Sequence, residues 1–174
     1  ESDETGPTGI YGASKLAGEE AIRACLPAHL ILRTSWGYGV HGHNFVKTML
    51  RLGKDRERLT IVADQIGAPT PARSIAAACL EIARQLQADP GKSGIYHFAG
   101  RPQTSWAGVA REIFARAGVD CAVADIPTSA YPTPAARPLN SRLDCAALET
   151  VFGIPQPDWR LGLDEILKDL GDLA

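Results

Sequence analysis

Apolar residues return along this chain with two different periods, and the alternation between them sets the fold class. Between about Ser14 and Leu26, Ala17, Ala21, Ile22 and Cys25 recur at helical spacing, with Lys15, Glu19, Glu20 and Arg23 turned elsewhere. Pro27 ends that segment. The run Leu30-Ile31-Leu32-Arg33-Thr34-Ser35-Trp36 is apolar without strict alternation and becomes polar at its end, as in a buried parallel strand that delivers side chains to a site. A glycine-rich loop, Gly37 to His43, follows. Asn44 is an N-cap candidate for a helix striped by Phe45, Val46, Met49 and Leu50 and continuing to about Lys54. Leu59 to Val62 reads as a strand leading into the Gly/Pro-punctuated loop Ala63 to Pro71.

Ser74 is placed to cap a long helix striped by Cys79, Ile82, Ala83 and Leu86. Gly94 to Ala99 is a further strand, and Trp106, Val109, Ala110, Ile113, Phe114 and Ala117 outline a strongly amphipathic helix. Beyond Gly118 come a strand-like Cys121 to Ile126, a proline-rich loop from Pro127 to Pro138, and two short helices that start near Asp144 and Asp158, with aspartate as the cap of each. Strands alternating with helices of this length predict an α/β fold with right-handed crossovers, the tail forming a smaller lobe.

Composition narrows the function classes. With 174 residues, 45% hydrophobic and 22% charged, the chain can bury an ordinary globular core. A net charge of −2 supplies no basic surface for nucleic acid or an anionic membrane, so a small-molecule ligand is expected. No run approaches the roughly 18 apolar residues of a membrane span. The four cysteines, Cys25, Cys79, Cys121 and Cys145, form no C-x-x-C pair, and we expect reduced, partly buried thiols, no metal site and a cytoplasmic setting.

The candidate chemistry lies near the first residues, in "GIYGASKLAGEE". Protonating a carbonyl oxygen as its carbon is reduced requires an acid, and a phenol becomes a better partner when an ammonium group beside it favours the phenolate. Tyr11 and Lys15 stand four residues apart, so one helix face can hold both. The same spacing also suits a packing tyrosine and a solvated lysine paired with Glu19.

The context Pro7-x-x-x-Tyr11-Gly12-x-Ser14-Lys15-Leu16-x-Gly18-Glu19, followed by a strand ending Arg33-Thr34-Ser35-Trp36, resembles the active-site region of the extended short-chain dehydrogenase/reductase superfamily. More narrowly, "RTSWGYG", "NFVKTMLRL", "DQIGAPT" and the late "ARPLNSRLD" resemble the dTDP-4-dehydrorhamnose reductase family, from about Glu4 to the C-terminus. The resemblance implies the C-terminal half of a doubly wound Rossmann-type parallel sheet plus a small α/β substrate-binding lobe. Residues 1 to about 60 would supply the active-site helix and part of that core, and residues from about 60 to 174 further core elements and the lobe.

Carried over residue by residue, the resemblance makes Tyr11 the general acid and gives Lys15 the tasks of assisting it and holding the nicotinamide ribose. Trp36 would pack against the deoxysugar, and Asn44 and Gln65 would contact substrate. Thr70 is a candidate of the same kind. Arg137 and Arg142 could meet phosphate oxygens or form ordinary ion pairs, and His41 and His43 flank a glycine in a loop.

The implied cofactor is NADPH or NADH, yet the glycine-rich turn that would bind it is expected upstream of Tyr11. "GYGVHGH" does not replace it, since it follows a late strand and lacks the acidic ribose partner about 20 residues on. We therefore expect a portion of a reductase, with little turnover of its own, uncovered apolar surface and a tendency to form a homodimer. A non-catalytic dinucleotide-binding subunit and another sugar-nucleotide epimerase or dehydratase of the superfamily remain as alternatives.

Overall fold

The computed structural model describes residues 1–135 and 137–173. In chain order its elements are α1 (Ile10–Cys25), β1 (Leu30–Arg33), β2 (Gly37–Tyr38), α2 (Phe45–Asp55), β3 (Arg58–Val62), β4 (Ile66–Gly67), β5 (Thr70–Pro71), α3 (Ala72–Ala88), β6 (Gly94–His97), β7 (Thr104–Ser105), α4 (Trp106–Arg116), β8 (Ala122–Ile126), α5 (Ala146–Phe152) and α6 (Trp159–Leu170). The α/β alternation expected from periodicity is present.

The strands pair two by two. β1 runs parallel to β6, β2 to β5 and β3 to β8, while β4 and β7 are antiparallel. The two-residue strands β2, β4 and β5 lie in stretches that read as loop, because two residues cannot display a period, and β7 lies in a stretch with no expected element. Each is fixed by a partner far along the chain, as in the register Gly37↔Thr70 and Ile66↔Ser105.

Two apolar clusters hold these elements. The larger gathers Val46, Met49 and Leu50 of α2, Leu59 of β3, Val109, Ile113 and Phe114 of α4, and Trp159, Leu163 and Leu167 of α6. It thus draws on both sides of residue 60. Each fully buried Leu or Ile in it stabilises the fold by about 1.5–3 kcal/mol. α2 and α4 approach closely because Gly53 has no side chain: a Cβ there would stand 2.6 Å from Phe114 Cε1. The smaller cluster sets Ala78 and Ile82 of α3 against Tyr96 and Phe98 and against Leu148 and Phe152 of α5.

Several expectations need correction. α1 begins at Ile10, not near Ser14, so Tyr11 and Lys15 both lie within it. Its apolar stripe faces outward: Ala17, Ala21, Ile22 and Cys25 are exposed, and no residue of the helix is buried. The face turned to the rest of the chain carries Gly12, Leu16 and Glu19, all partly buried. Periodicity finds a helix's faces but not which one meets the sheet. Cys79 is likewise exposed, its place in the core taken by Ala78, and only Cys121 and Cys145 are buried; all four thiols are free.

Ser74 is not the cap of α3, which starts at Ala72 behind Pro71, with no side-chain cap. Asn44 does cap α2, accepting from Lys47 N, and Asp158 caps α6 by accepting from Arg160 N. Asp144 stands one residue before the N-cap of α5, Cys145, though its Oδ1 still accepts from Ala146 N. Among the described residues, no helix is long and apolar enough to cross a membrane.

Candidate functional site

α1 is held by its edge. Arg33, the last residue of β1, donates from Nε and an η nitrogen to the two carboxylate oxygens of Glu19, at 2.9 and 2.6 Å. That fork is about four-fifths buried and raises the pKa of the guanidinium, chiefly through the Glu19 hydrogen bond. One turn and two turns earlier on the same helix, Lys15 and Tyr11 project from an open surface. Lys15 Nζ lies 5.4 Å from the centroid of the Tyr11 ring, as the i, i+4 spacing allows.

The other tyrosines are differently placed. Tyr38 is buried and its hydroxyl donates to the Trp159 carbonyl; burial pushes its pKa up. The Tyr96 hydroxyl donates to the Lys92 carbonyl, and burial raises it too. Tyr131 is exposed in the proline-rich loop. Among the described residues, Tyr11 is the tyrosine with an ammonium group over its ring.

Beyond β1 the chain enters a strained turn. Trp36 has φ 48°, a left-handed conformation that costs a bulky residue about 1–3 kcal/mol and persists only where surrounding contacts enforce it. The "DQIGAPT" segment supplies those contacts. Thr70 N donates to the Trp36 carbonyl at 3.2 Å, Thr70 Oγ1 to the Ser35 carbonyl at 2.8 Å, and Ser35 Oγ to the Ala68 carbonyl at 3.3 Å. Thr70 is fully buried, and its amide and hydroxyl both serve this turn. Gly67 leaves room for the indole: a Cβ there would be 2.8 Å from Trp36 Cε2 and Cζ2.

The Trp36 ring is stacked on Trp106, with centroids 3.8 Å apart and planes 17° from parallel, and Phe45 tilts against Trp106 at 4.7 Å. Trp106 opens α4, where its spacing had marked it as a core residue. What the sequence missed was a partner for Trp36. A second tryptophan behind a Ser105 cap was the visible signal, but it does not say which loop lies above it. Gln65 is buried below the stack, its Oε1 accepting from Trp106 Nε1 and its Nε2 donating to Thr128 Oγ1, both at 3.2 Å. Both ends of this side chain are therefore bonded within the protein.

Asn44 is also engaged at both ends, with Nδ2 donating to the Gly39 carbonyl at 2.6 Å and Oδ1 accepting from Lys47 N. It lines a cleft of about 450 Å³ together with His41, His43, Arg73 and Glu165. Arg142 lines a second cleft, of about 420 Å³, with Gln103, Asp144 and Gln156, and its Nε donates to Asn140 Oδ1 at 2.7 Å. Arg137 is exposed. The structure thus joins Trp36 and Gln65 through Trp106, and sets Asn44 and Arg142 in two separate clefts.

Known proteins resemble the chain along nearly its whole length. A dTDP-4-dehydrorhamnose reductase from Sinorhizobium fredii is 47% identical over 91% of this chain and 56% of its own. The solved structure of a dTDP-4-dehydrorhamnose reductase from Clostridium acetobutylicum superposes with a TM-score of 0.92 at 37% identity, covering 98% of this chain and 59% of that one. That of the Bacillus anthracis reductase, in complex with NADP, gives 0.86 at 36% identity over 97% and 58%. The chain therefore spans somewhat more than half the length of these relatives. The model of the family described as RmlD substrate binding domain matches residues 1–171, from ahead of the Tyr11/Lys15 helix to the end of α6, and the chain belongs to that family.

Proposed function

We propose that this chain forms the sugar-nucleotide side of a reductase that converts the C4 keto group of dTDP-4-dehydro-L-rhamnose into the C4 alcohol of dTDP-L-rhamnose, with NADPH or NADH. The observation that carries the reading is the Tyr11/Lys15 pair on the open face of α1, with the Lys15 ammonium 5.4 Å from the phenol ring. A nicotinamide cofactor fits that face: Lys15 is exposed and its donors are suited to ribose hydroxyls. When bound, the reduced nicotinamide supplies the hydride equivalent for the carbonyl carbon.

The chain's own part is the proton. Tyr11 donates from its hydroxyl to the C4 oxygen, and the Lys15 ammonium balances the negative charge that develops on the phenol. Trp36 supplies an apolar surface for the deoxysugar. Asn44, at the start of α2, offers a helix N-terminus to the diphosphate through its neighbouring amides. Gln65 acts on the substrate side as well, and its engaged side chain points to an indirect role.

Titration calorimetry tests the substrate class. Binding of dTDP-rhamnose in preference to UDP-glucose is expected, and equal affinity for the two, or none for either, contradicts the proposal. The chain by itself is expected to turn over little when given cofactor and keto-sugar nucleotide; full activity would show that the portion is self-sufficient. Exposed Ile10, Ile22 and Leu26 at α1 also favour a homodimer, which sedimentation measures directly. A strictly monomeric chain at high concentration counts against it.

A further inference from the structure

From the loop after β3 to the first turn of α4, one run of hydrogen bonds ends under the Trp36 ring. Trp106 Nε1 donates to Gln65 Oε1 at 3.2 Å, and Gln65 Nε2 donates to Thr128 Oγ1 at 3.2 Å. Thr128 Oγ1 donates to Asp64 Oδ1 at 2.6 Å, and Thr128 N donates to both Asp64 oxygens at 2.9 and 3.0 Å. Every link runs donor to acceptor in the same direction and terminates on a carboxylate, so each bond polarises the next. The orientation of the Gln65 amide follows from its neighbours: an indole N–H can only donate, so it must meet the oxygen. Hydrogen bonds from Thr128, side chain first and then backbone, lower the Asp64 pKa and keep the carboxylate ionised at the end of the run.

The upper end of the run has no freedom either. The Trp36 backbone is left-handed, its indole is stacked at 3.8 Å on Trp106, and Gly67 closes on its Cε2 and Cζ2 edge. Gln65 is buried, and its amide oxygen and nitrogen are each already bonded within the protein, to Trp106 and to Thr128. We propose that Gln65 and Trp106 are positioning residues that set the Trp36 indole for the sugar, with Asp64 and Thr128 as their anchor. The inference rests on the reading of Trp36 as the sugar contact. It reassigns Gln65 from touching substrate to holding the ring that touches it.

Two readouts separate the inference from its premise. Stacked indoles give an exciton couplet in circular dichroism, and this reports the Trp36–Trp106 geometry whether or not ligand binds. In Gln65→Met, which keeps the volume and removes both polar ends, the couplet is expected to weaken while thermal unfolding stays cooperative. Calorimetry then compares dTDP-rhamnose with dTDP. Gln65→Met is expected to weaken dTDP-rhamnose about fivefold, the worth of roughly one net hydrogen bond, and to leave dTDP unchanged.

Trp106→Ala should weaken the sugar nucleotide by about three- to tenfold, the range for an aromatic pair, and Trp106→Phe, which keeps a stacking face but loses the bond to Gln65, should weaken it about as much as Gln65→Met does. An unchanged couplet in Gln65→Met overturns the positioning role outright. So does an equal loss for dTDP and dTDP-rhamnose, which marks a general structural defect. If Trp36→Ala binds dTDP-rhamnose as well as the parent chain does, the premise fails, whatever the couplet reports.

Discussion

Helix α1 carries the proposed acid yet has no buried residue, and this makes Glu19→Gln the most informative single change. A helix of this length is marginal in water on its own, so its docking depends on a few side chains. Chief among them is the Glu19–Arg33 fork, with bonds of 2.9 and 2.6 Å and side-chain exposures of 17% and 24%. An exposed pair would be worth about 0.2–1 kcal/mol, and hydrogen bonds to charged groups reach about 1.5–3 kcal/mol. At this degree of burial we take about 2 kcal/mol for the fork. At 1.4 kcal/mol per factor of ten, that raises the open population of α1 about thirtyfold.

Hydrogen–deuterium exchange followed by mass spectrometry reads this directly. Peptides from α1 should exchange about thirtyfold faster in Glu19→Gln, while those from α4 and α6, deep in the larger cluster, keep their rates. Arg33→Met should reproduce the effect, and the double variant should add little to either single one. Unchanged α1 exchange in both single variants would refute the claim that this fork positions Tyr11 and Lys15. Uniform acceleration across the chain would refute its locality.

Three further outcomes follow from the same geometry. Gly67→Ala puts a methyl 2.8 Å from the Trp36 ring; overpacking should cost about 1–3 kcal/mol and lower Tm by about 2–12 °C, and an unchanged Tm with unchanged tryptophan emission contradicts the packing. A thiol reagent should modify Cys25 and Cys79 quickly, and Cys121 and Cys145, buried and with pKa values raised by that burial, only on unfolding; four fast thiols would disprove the placement. His97 is 9% exposed and its pKa is lowered from 6.5, first by burial and against the pull of Glu1, so the unfolded chain binds the proton more readily. Its stability contribution is therefore full above 6.5 and is lost as pH falls toward the lowered native value. His97→Asn, which keeps a donor for the Asp144 carbonyl, should remove that part of the stability–pH slope.

Local order was legible in the chain itself. The α/β alternation, the stripe of α4, the Asn44 and Asp158 caps and the Tyr11/Lys15 pairing follow from spacing within a single turn or strand, where the backbone alone decides which residues are neighbours. Family membership was legible for a related reason, since separated motifs in the right order survive without any knowledge of contacts. Tertiary structure alone decided which side of α1 meets β1 and that Cys79 is exposed where Ala78 is buried. It alone set Trp106 against Trp36, across a gap of tens of residues. It also gave Thr70 the bonds that hold Trp36 in a left-handed turn, and bound Gln65 to Trp106 and Thr128. Those outcomes depend on long-range pairing, in which the partner of a side chain is fixed by how the strands and helices dock, and no period within one segment encodes that docking.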